Sequence, residues 1–256
     1  MTGHIQHIVI IQSLVGERLT GTELYEDCIR RRIDLQNLNF THAFYNVDSQ
    51  QSLTDLLGHY GNVAANYENG LVIHLEMHGD ENLSGLVLSN GQLITWLELV
   101  DLFRKINLDT RNNLYVTMAT CNGRYMYTAV DPNLKSPYAA YISASMKVPN
   151  DQIAEVFFAL FDNVLDNANL LTSYLSLQEQ SADFYYKDSK TTFEEGFKDT
   201  LDKLYGDENL KAEILADASK AAQKATGVKM TPESENIVFE NAIKDIYNRH
   251  YNAFKF

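Results

Sequence analysis

Continuous apolar runs alternate with amphipathic stretches along the first part of this chain. His4 to Gln12 contains Ile8-Val9-Ile10-Ile11, the pattern of a strand covered on both faces. Thr20-Gly-Thr-Glu23 has the spacing of a capping box and predicts a helix running through Cys28 and Arg30-Arg31-Arg32, where positive charge suits a C-terminus. Phe40 to Val47 reads as a second strand. Asp48 to about Ala65 reads as a second helix with Leu53, Leu56 and Leu57 on one face. Leu71 to Met77 is the third strand, followed by a loop, His78-Gly79-Asp80-Glu81-Asn82. Between Leu86 and Leu93, the Asn90-Gly91 pair predicts a small exposed hairpin with a tight turn.

Thr95-Trp-Leu-Glu98 is a second capping box, opening a helix with Leu99, Leu102, Phe103 and Ile106 at helical spacing. Asn113 to Ala119 is the fourth strand, ending in Thr120-Cys121-Asn122-Gly123, and Tyr138 to Ser143 the fifth. An amphipathic helix carrying Ile153, Val156, Phe157, Leu160, Phe161 and Val164 follows. This alternation implies right-handed crossovers and an α/β fold, a mostly parallel, doubly wound sheet flanked by helices. Strand signals stop near Asn167. The expected division is therefore a core over 1–167 and a helical C-terminal region over 168–256, including a helix from Thr231-Pro232 with Phe239, Ile243, Ile246 and Tyr247.

With 45% hydrophobic and 21% charged residues, the 256-residue chain has a globular composition. The N-terminus lacks a secretory pattern, and no run of about 18 apolar residues occurs, so a soluble protein without a membrane partner is expected. Cys28 and Cys121 form no disulfide framework and read as free thiols of a reducing cytoplasm. A net charge of -13 disfavours nucleic acid.

Functional residues of a parallel sheet gather beyond the carboxyl ends of its strands. His78 follows the third strand and Cys121 the fourth. If those strands are neighbours, their ends lie about 4.8 Å apart. A thiol of ordinary pKa is only partly thiolate at neutral pH, and an imidazole beside it takes its proton and later protonates a leaving amine. Gly79 and Gly123 fit the same chemistry, because a backbone N–H approaches an oxyanion most closely where no Cβ intervenes.

His78-Gly79 and Ala119-Thr-Cys-Asn-Gly123, in that order and near the spacing of about 50 residues found in caspases, resemble the caspase-like cysteine peptidases of clan CD. The nearest likeness is to the bacterial CHAT branch, related to separases. Gly85-Leu-Val-Leu-Ser-Asn-Gly-Gln-Leu-Ile-Thr-Trp96 and Tyr138-Ala-Ala-Tyr-Ile-Ser-Ala-Ser145 add to it, so the likeness spans about residues 5 to 167.

The resemblance implies a caspase-like sheet and an intracellular endopeptidase without a cofactor. Cys121 is the implied nucleophile and His78 its acid-base partner, with the N–H groups of Gly79 and Cys121 as oxyanion hole. A protein or peptide substrate and an activating protein partner are implied, in regulated proteolysis or bacterial defence. Caspases carry glutamine two residues before the cysteine, and basic-specific relatives an acid. This chain has Ala119, which does not support cleavage after aspartate. Cleavage after arginine or lysine would need an acid such as Asp80, Asp131 or Asp151 in the substrate pocket, and Ser143 is a further pocket candidate. From another class, the alternative is a catalytically silent module that binds a peptide in the same cleft.

Other residues have plainer readings. Cys28 is structural, and the tyrosines around Tyr185-Tyr186 and Tyr247-Tyr251 pack helices. The acidic pair Glu194-Glu195 is a solvated helix face. His74, Glu76 and His78 share a face of a strand, but Glu76 and His78 would need a third ligand that the sequence does not announce, so His74 is read as a satisfied core or edge histidine rather than a metal ligand. The turn after the first strand, Leu14-Val-Gly16-Glu-Arg, is not a phosphate loop.

Overall fold

The computed structural model describes residues 3–144, 146–177, 183–227 and 231–256. In chain order the first elements are β1 (His7–Gln12), α1 (Thr20–Glu23), a π-helical segment (Leu24–Arg30), α2 (Arg31–Gln36), β2 (Thr41–Asn46) and α3 (Gln50–Val63). Next come β3 (Leu71–Glu76), β4 (His78–Gly79), β5 (Gly85–Val87), β6 (Leu93–Thr95), α4 (Trp96–Asp109), β7 (Leu114–Ala119) and β8 (Ala140–Ala144). The remaining elements are α5 (Asn150–Asn167), α6 (Leu170–Ser176), β9 (Phe184–Asp188), α7 (Ser189–Gly206), α8 (Glu208–Thr226) and α9 (Pro232–Phe254). Two compact units result. The first takes in the described residues up to Val130, Ser136–Ser189 and Phe256, and the second Asp131–Lys135 and Lys190–Lys255.

The first unit is built on a six-stranded sheet of order β2-β1-β3-β7-β8-β9, parallel except for β9. This is the α/β, mostly parallel, doubly wound arrangement that the alternation of elements predicts. Strand periodicity sorts the side chains into two layers. Ile8, Ile10, Val72 and Ile142 pack with the α5 residues Phe157, Leu160 and Phe161 and with Leu24 and Ile29. Val9, Ile11, Ile73, Leu75, Val116 and Met118 pack on the other side with Leu53 and Leu57 of α3 and Leu99, Phe103 and Ile106 of α4. Because both faces are covered, the strands read as near-continuous apolar runs.

Several expectations are corrected. Thr20 caps nothing: the N-cap position is Leu19, without a side-chain bond, and the Thr20 hydroxyl instead donates to Glu76 Oε2 at 2.8 Å. A buried carboxylate is the stronger attraction, since it is costly to leave unpaired. The arginine cluster does not end its helix, which continues to Gln36 and stops at Asn37 with a left-handed φ of 50°. Arg32 reaches across to Asp162 and Asp166 of α5 at 2.5 and 2.6 Å. By contrast, the Thr95 capping box forms as predicted, with Glu98 reciprocating.

The hairpin closes through a wider turn than the Asn-Gly pair suggested, with Val87 opposite Leu93 and Gly91 at φ 83°. Nor is it wholly exposed, because Leu86, Leu88 and Ile94 are buried under α4. His78-Gly79 is not loop but a third short strand, antiparallel to β5.

Strand structure also continues beyond Asn167. β9 pairs antiparallel with β8, from Ala140 opposite Asp188 to Ala144 opposite Phe184, so Tyr185 and Tyr186 lie on a strand, and the Tyr186 ring packs against Tyr174 of α6 with centroids 5.5 Å apart. Ser145, the last residue of the Tyr138–Ser145 stretch, lies outside the described residues, as do 178–182 and 228–230 of the expected helical region.

In the second unit, Phe193 of α7 is surrounded by the rings of Phe197, Tyr247, Tyr251 and Phe254, with centroids 5.3 to 5.9 Å away. α9 starts at a Thr231–Ser234 capping box with Pro232 in its first turn. Among the described residues, no helix is long and apolar enough to cross a membrane.

Phe157 is fully buried, its ring 4.7 Å from His74 and 5.5 Å from Phe184. Phe157→Ala is expected to cost about 3 to 5 kcal/mol through lost burial and the cavity it leaves, read as a lower urea midpoint in equilibrium unfolding.

Candidate active site

Three neighbouring strands, β1, β3 and β7, end level with one another, since Gln12 pairs with Glu76 and Glu76 with Ala119. Two residues beyond Glu76 stands His78, and two beyond Ala119 stands Cys121. Both line one small cavity of about 30 Å³, together with Leu14, Glu17, Thr20 and Glu76.

The close packing of the two strand ends depends on glycine. A Cβ on Gly79 would stand 2.0 Å from the Cys121 carbonyl oxygen, so no side chain fits between these backbones. A Cβ on Gly123 would stand 2.9 Å from both Ser143 Cβ and Thr120 Cγ2. Asn122, between Cys121 and Gly123, takes a left-handed φ of 59° and opens a 3-10 segment (Gly123–Ala129). Asparagine tolerates this conformation better than most residues. The resulting turn leaves Cys121 half-buried, its Sγ 4.0 Å from the Val148 carbonyl.

His78 is mostly exposed, and its Nε2 lies 2.6 Å from Glu17 Oε1. Glu17 itself is reached through Gly16, at φ 72°, and its other oxygen accepts from Asn150 Nδ2 at 3.4 Å. Next to it, Arg18 bonds Glu23 at 2.7 Å and Asp151 at 2.7 Å. The turn after β1 is thus fastened both to α1 and to the start of α5.

Beneath the cavity runs a buried polar chain. His74 Nδ1 lies 2.8 Å from Thr117 Oγ1, its Nε2 lies 3.0 Å from Glu76 Oε1, and Glu76 Oε2 accepts from Thr20. His74 has no exposed surface, and its ring packs against Phe157 and Phe161. It is a satisfied core histidine. Among the described residues no group of three or more His, Cys, Asp or Glu is arranged to hold a metal ion.

The pocket candidates disperse. Ala119 ends β7 and lines the cavity. Ser143, on β8, is fully buried behind the Cys121 turn with its hydroxyl unbonded. Asp151 pairs with Arg18 and borders a separate cavity of about 820 Å³ with Glu155 and Phe158. Asp80 accepts from the Ser84 hydroxyl at 2.5 Å, which holds its carboxyl below the usual range, and it does not line the small cavity. Asp131, in the second unit, accepts from Asn133 within its own turn.

Glu17 was not singled out from the sequence, and Glu76 was weighed only as a metal ligand beside His74 and His78. For Glu17 the available signal was an acid just past the carboxyl end of a strand. For Glu76 it was a carboxylate inside an apolar strand, which has to find buried partners.

No family model matches the chain, and no curated protein matches it. Among solved structures, it is similar to the crystal structure of the Drosophila initiator caspase Dronc. The identity is 14%, over 73% of this chain and 82% of that one, with a TM-score of 0.47.

Cys28, packed against α5 with its Sγ 3.9 Å from the Phe158 carbonyl, has its thiol pushed up to about 12 by burial, with a smaller push from Asp162. The unfolded chain, near its ordinary value of 9.0, loses this proton first as pH rises. The thiol's stabilising contribution is therefore complete below about pH 9 and is lost toward pH 12. In the native protein at pH 8, Cys28 is expected to stay unmodified by iodoacetamide while Cys121 reacts, as read by peptide mass mapping. A glycine pair gives a second check by equilibrium unfolding. Gly79→Ala is expected to destabilise by about 1 to 3 kcal/mol through its clash. Gly58→Ala, in α3 with open space around it, is expected to stabilise by up to about 1 kcal/mol.

Proposed function

We propose that this chain is a cysteine endopeptidase with a caspase-like core, in which Cys121 is the nucleophile and His78 its acid-base partner. The observation that carries the reading is that His78 and Cys121 line one cavity at the ends of adjacent parallel strands, with Gly79 pressed against the Cys121 backbone. The resemblance of His78-Gly79 and Ala119–Gly123 to the clan CD peptidases, and to their CHAT branch in particular, supports it.

In this reading His78 takes the Cys121 proton as the sulfur bonds to the carbonyl carbon of a peptide. The oxyanion so formed is met by the N–H groups of Gly79 and Cys121. Its collapse breaks the C–N bond, and His78 returns the proton to the departing amine. Water then attacks the thioester with His78 as base, releasing the acid and restoring the thiol. No cofactor enters these steps. The substrate is a protein or peptide inside the cell, and an activating protein partner would suit a role in regulated proteolysis or bacterial defence. Ala119 offers no group to bind an aspartate side chain, so cleavage after aspartate is not part of the proposal.

The test is digestion of a diverse peptide library by the wild-type chain and by Cys121→Ala, with cut sites read by mass spectrometry. Cuts by the wild type that disappear in the variant are the expected result. Cuts that persist in Cys121→Ala would remove the nucleophile from the reading. If neither protein cuts, and Cys121 alkylates no faster in the native wild type than in His78→Ala, the catalytically silent peptide-binding module becomes the better account.

A further inference from the structure

The cavity beside Cys121 is bounded by one group that the two-residue reading leaves without a task. Glu17 Oε1 lies 2.6 Å from His78 Nε2, the shortest polar contact at the site. Glu17 arrives there by a defined route. β1, β3 and β7 are consecutive in the sheet, so the segments that follow them carry Glu17, His78 and Cys121 to one edge. Gly16 turns the chain with a positive φ, and Asn150 bonds the second carboxylate oxygen. Arg18 fixes the next position through Glu23 and Asp151.

We propose that Glu17 is the positioning residue of His78, completing a Cys121–His78–Glu17 relay. The proposal rests on the reading of His78 and Cys121 given above. A carboxylate has only acceptor oxygens for this contact, so Nε2 must carry the proton. Nδ1 is then the nitrogen left to accept from the Cys121 thiol. The same carboxylate holds the imidazole plane and balances the imidazolium that forms once the thiol has given up its proton, the role an acid plays behind histidine in hydrolytic triads. A pair this exposed contributes little to folding stability. Its consequence is orientation.

Glu17→Gln separates charge and tautomer from shape. The amide has the same size but presents either an oxygen or an NH₂ group to Nε2, and so no longer dictates which ring nitrogen is protonated. In the full-length protein, Glu17→Gln is expected to slow iodoacetamide alkylation of Cys121 by about tenfold or more. On a peptide cut by the wild type it is expected to lower kcat by a similar factor with KM unchanged. The ¹⁵N spectrum of the His78 ring should change from a single Nε2–H form to a mixture of tautomers while the unfolding midpoint stays in place. Glu68→Gln, which alters an exposed ion pair with Arg111 outside the cavity, is expected to alkylate at the wild-type rate.

Wild-type alkylation and ring spectrum in Glu17→Gln, alongside a slow His78→Ala, would overturn the role of Glu17 and leave the His78–Cys121 pair standing. If His78→Ala alkylates as fast as the wild type, the pair itself fails, and the role of Glu17 with it.

Discussion

The parallel register between β3 and β7 is the constraint on which the site depends. Leu71–Glu76 runs level with Leu114–Ala119, and the next residues leave the sheet side by side. A slip by one residue would turn every side chain of a strand to the opposite face. Here such a slip would exchange Val72, His74 and Glu76 with Leu71, Ile73 and Leu75. The apolar layer under α4 and the polar chain under α5 both forbid it. The register is thus fixed by burial, and the site inherits its precision from that fixing.

Above the register, backbone contact replaces side-chain contact. Gly79 lets the start of β4 lie directly on the Cys121 carbonyl, and Gly123 lets the following turn lie on Ser143. The short β4-β5-β6 sheet holds the first of these segments, and burial of Leu86 and Ile94 holds that small sheet to α4. The exposed imidazole of His78 has no such packing of its own. Its partner Glu17 comes from a turn tied to α1 and α5, so the orientation of the ring depends on elements distant in sequence.

The buried chain Thr117–His74–Glu76–Thr20 links the same elements from below. Each member is partnered, which is the condition under which polar groups are tolerated in a core. It joins β7, β3 and α1 at the level of the strand ends, under the cavity, and draws Thr20 away from the capping role that its local spacing suggested. Gly21 permits this closeness, since a Cβ there would stand 2.8 Å from Glu76 Cγ.

Much of this was legible in the sequence because it is periodic or local. The apolar runs of β1, β3 and β7, the stripe of α5 and the Thr95 capping box each act within a few residues. The pairing of His-Gly with Cys-x-Gly at successive strand ends pointed to His78 and Cys121 together. β9 escaped notice because a five-residue segment, Phe184–Asp188, becomes a strand only by pairing with β8. Thr20, Glu76 and Glu17 escaped because their partners lie 56, 2 and 61 positions away, and for Glu76 the near partner matters only once both side chains are buried. The sequence by itself determined which segments are strands of a covered parallel sheet and which residues follow them, because hydrophobic periodicity is a local signal. Only the tertiary structure decided which carboxylate meets which imidazole, because that choice is made by strand order and turn geometry.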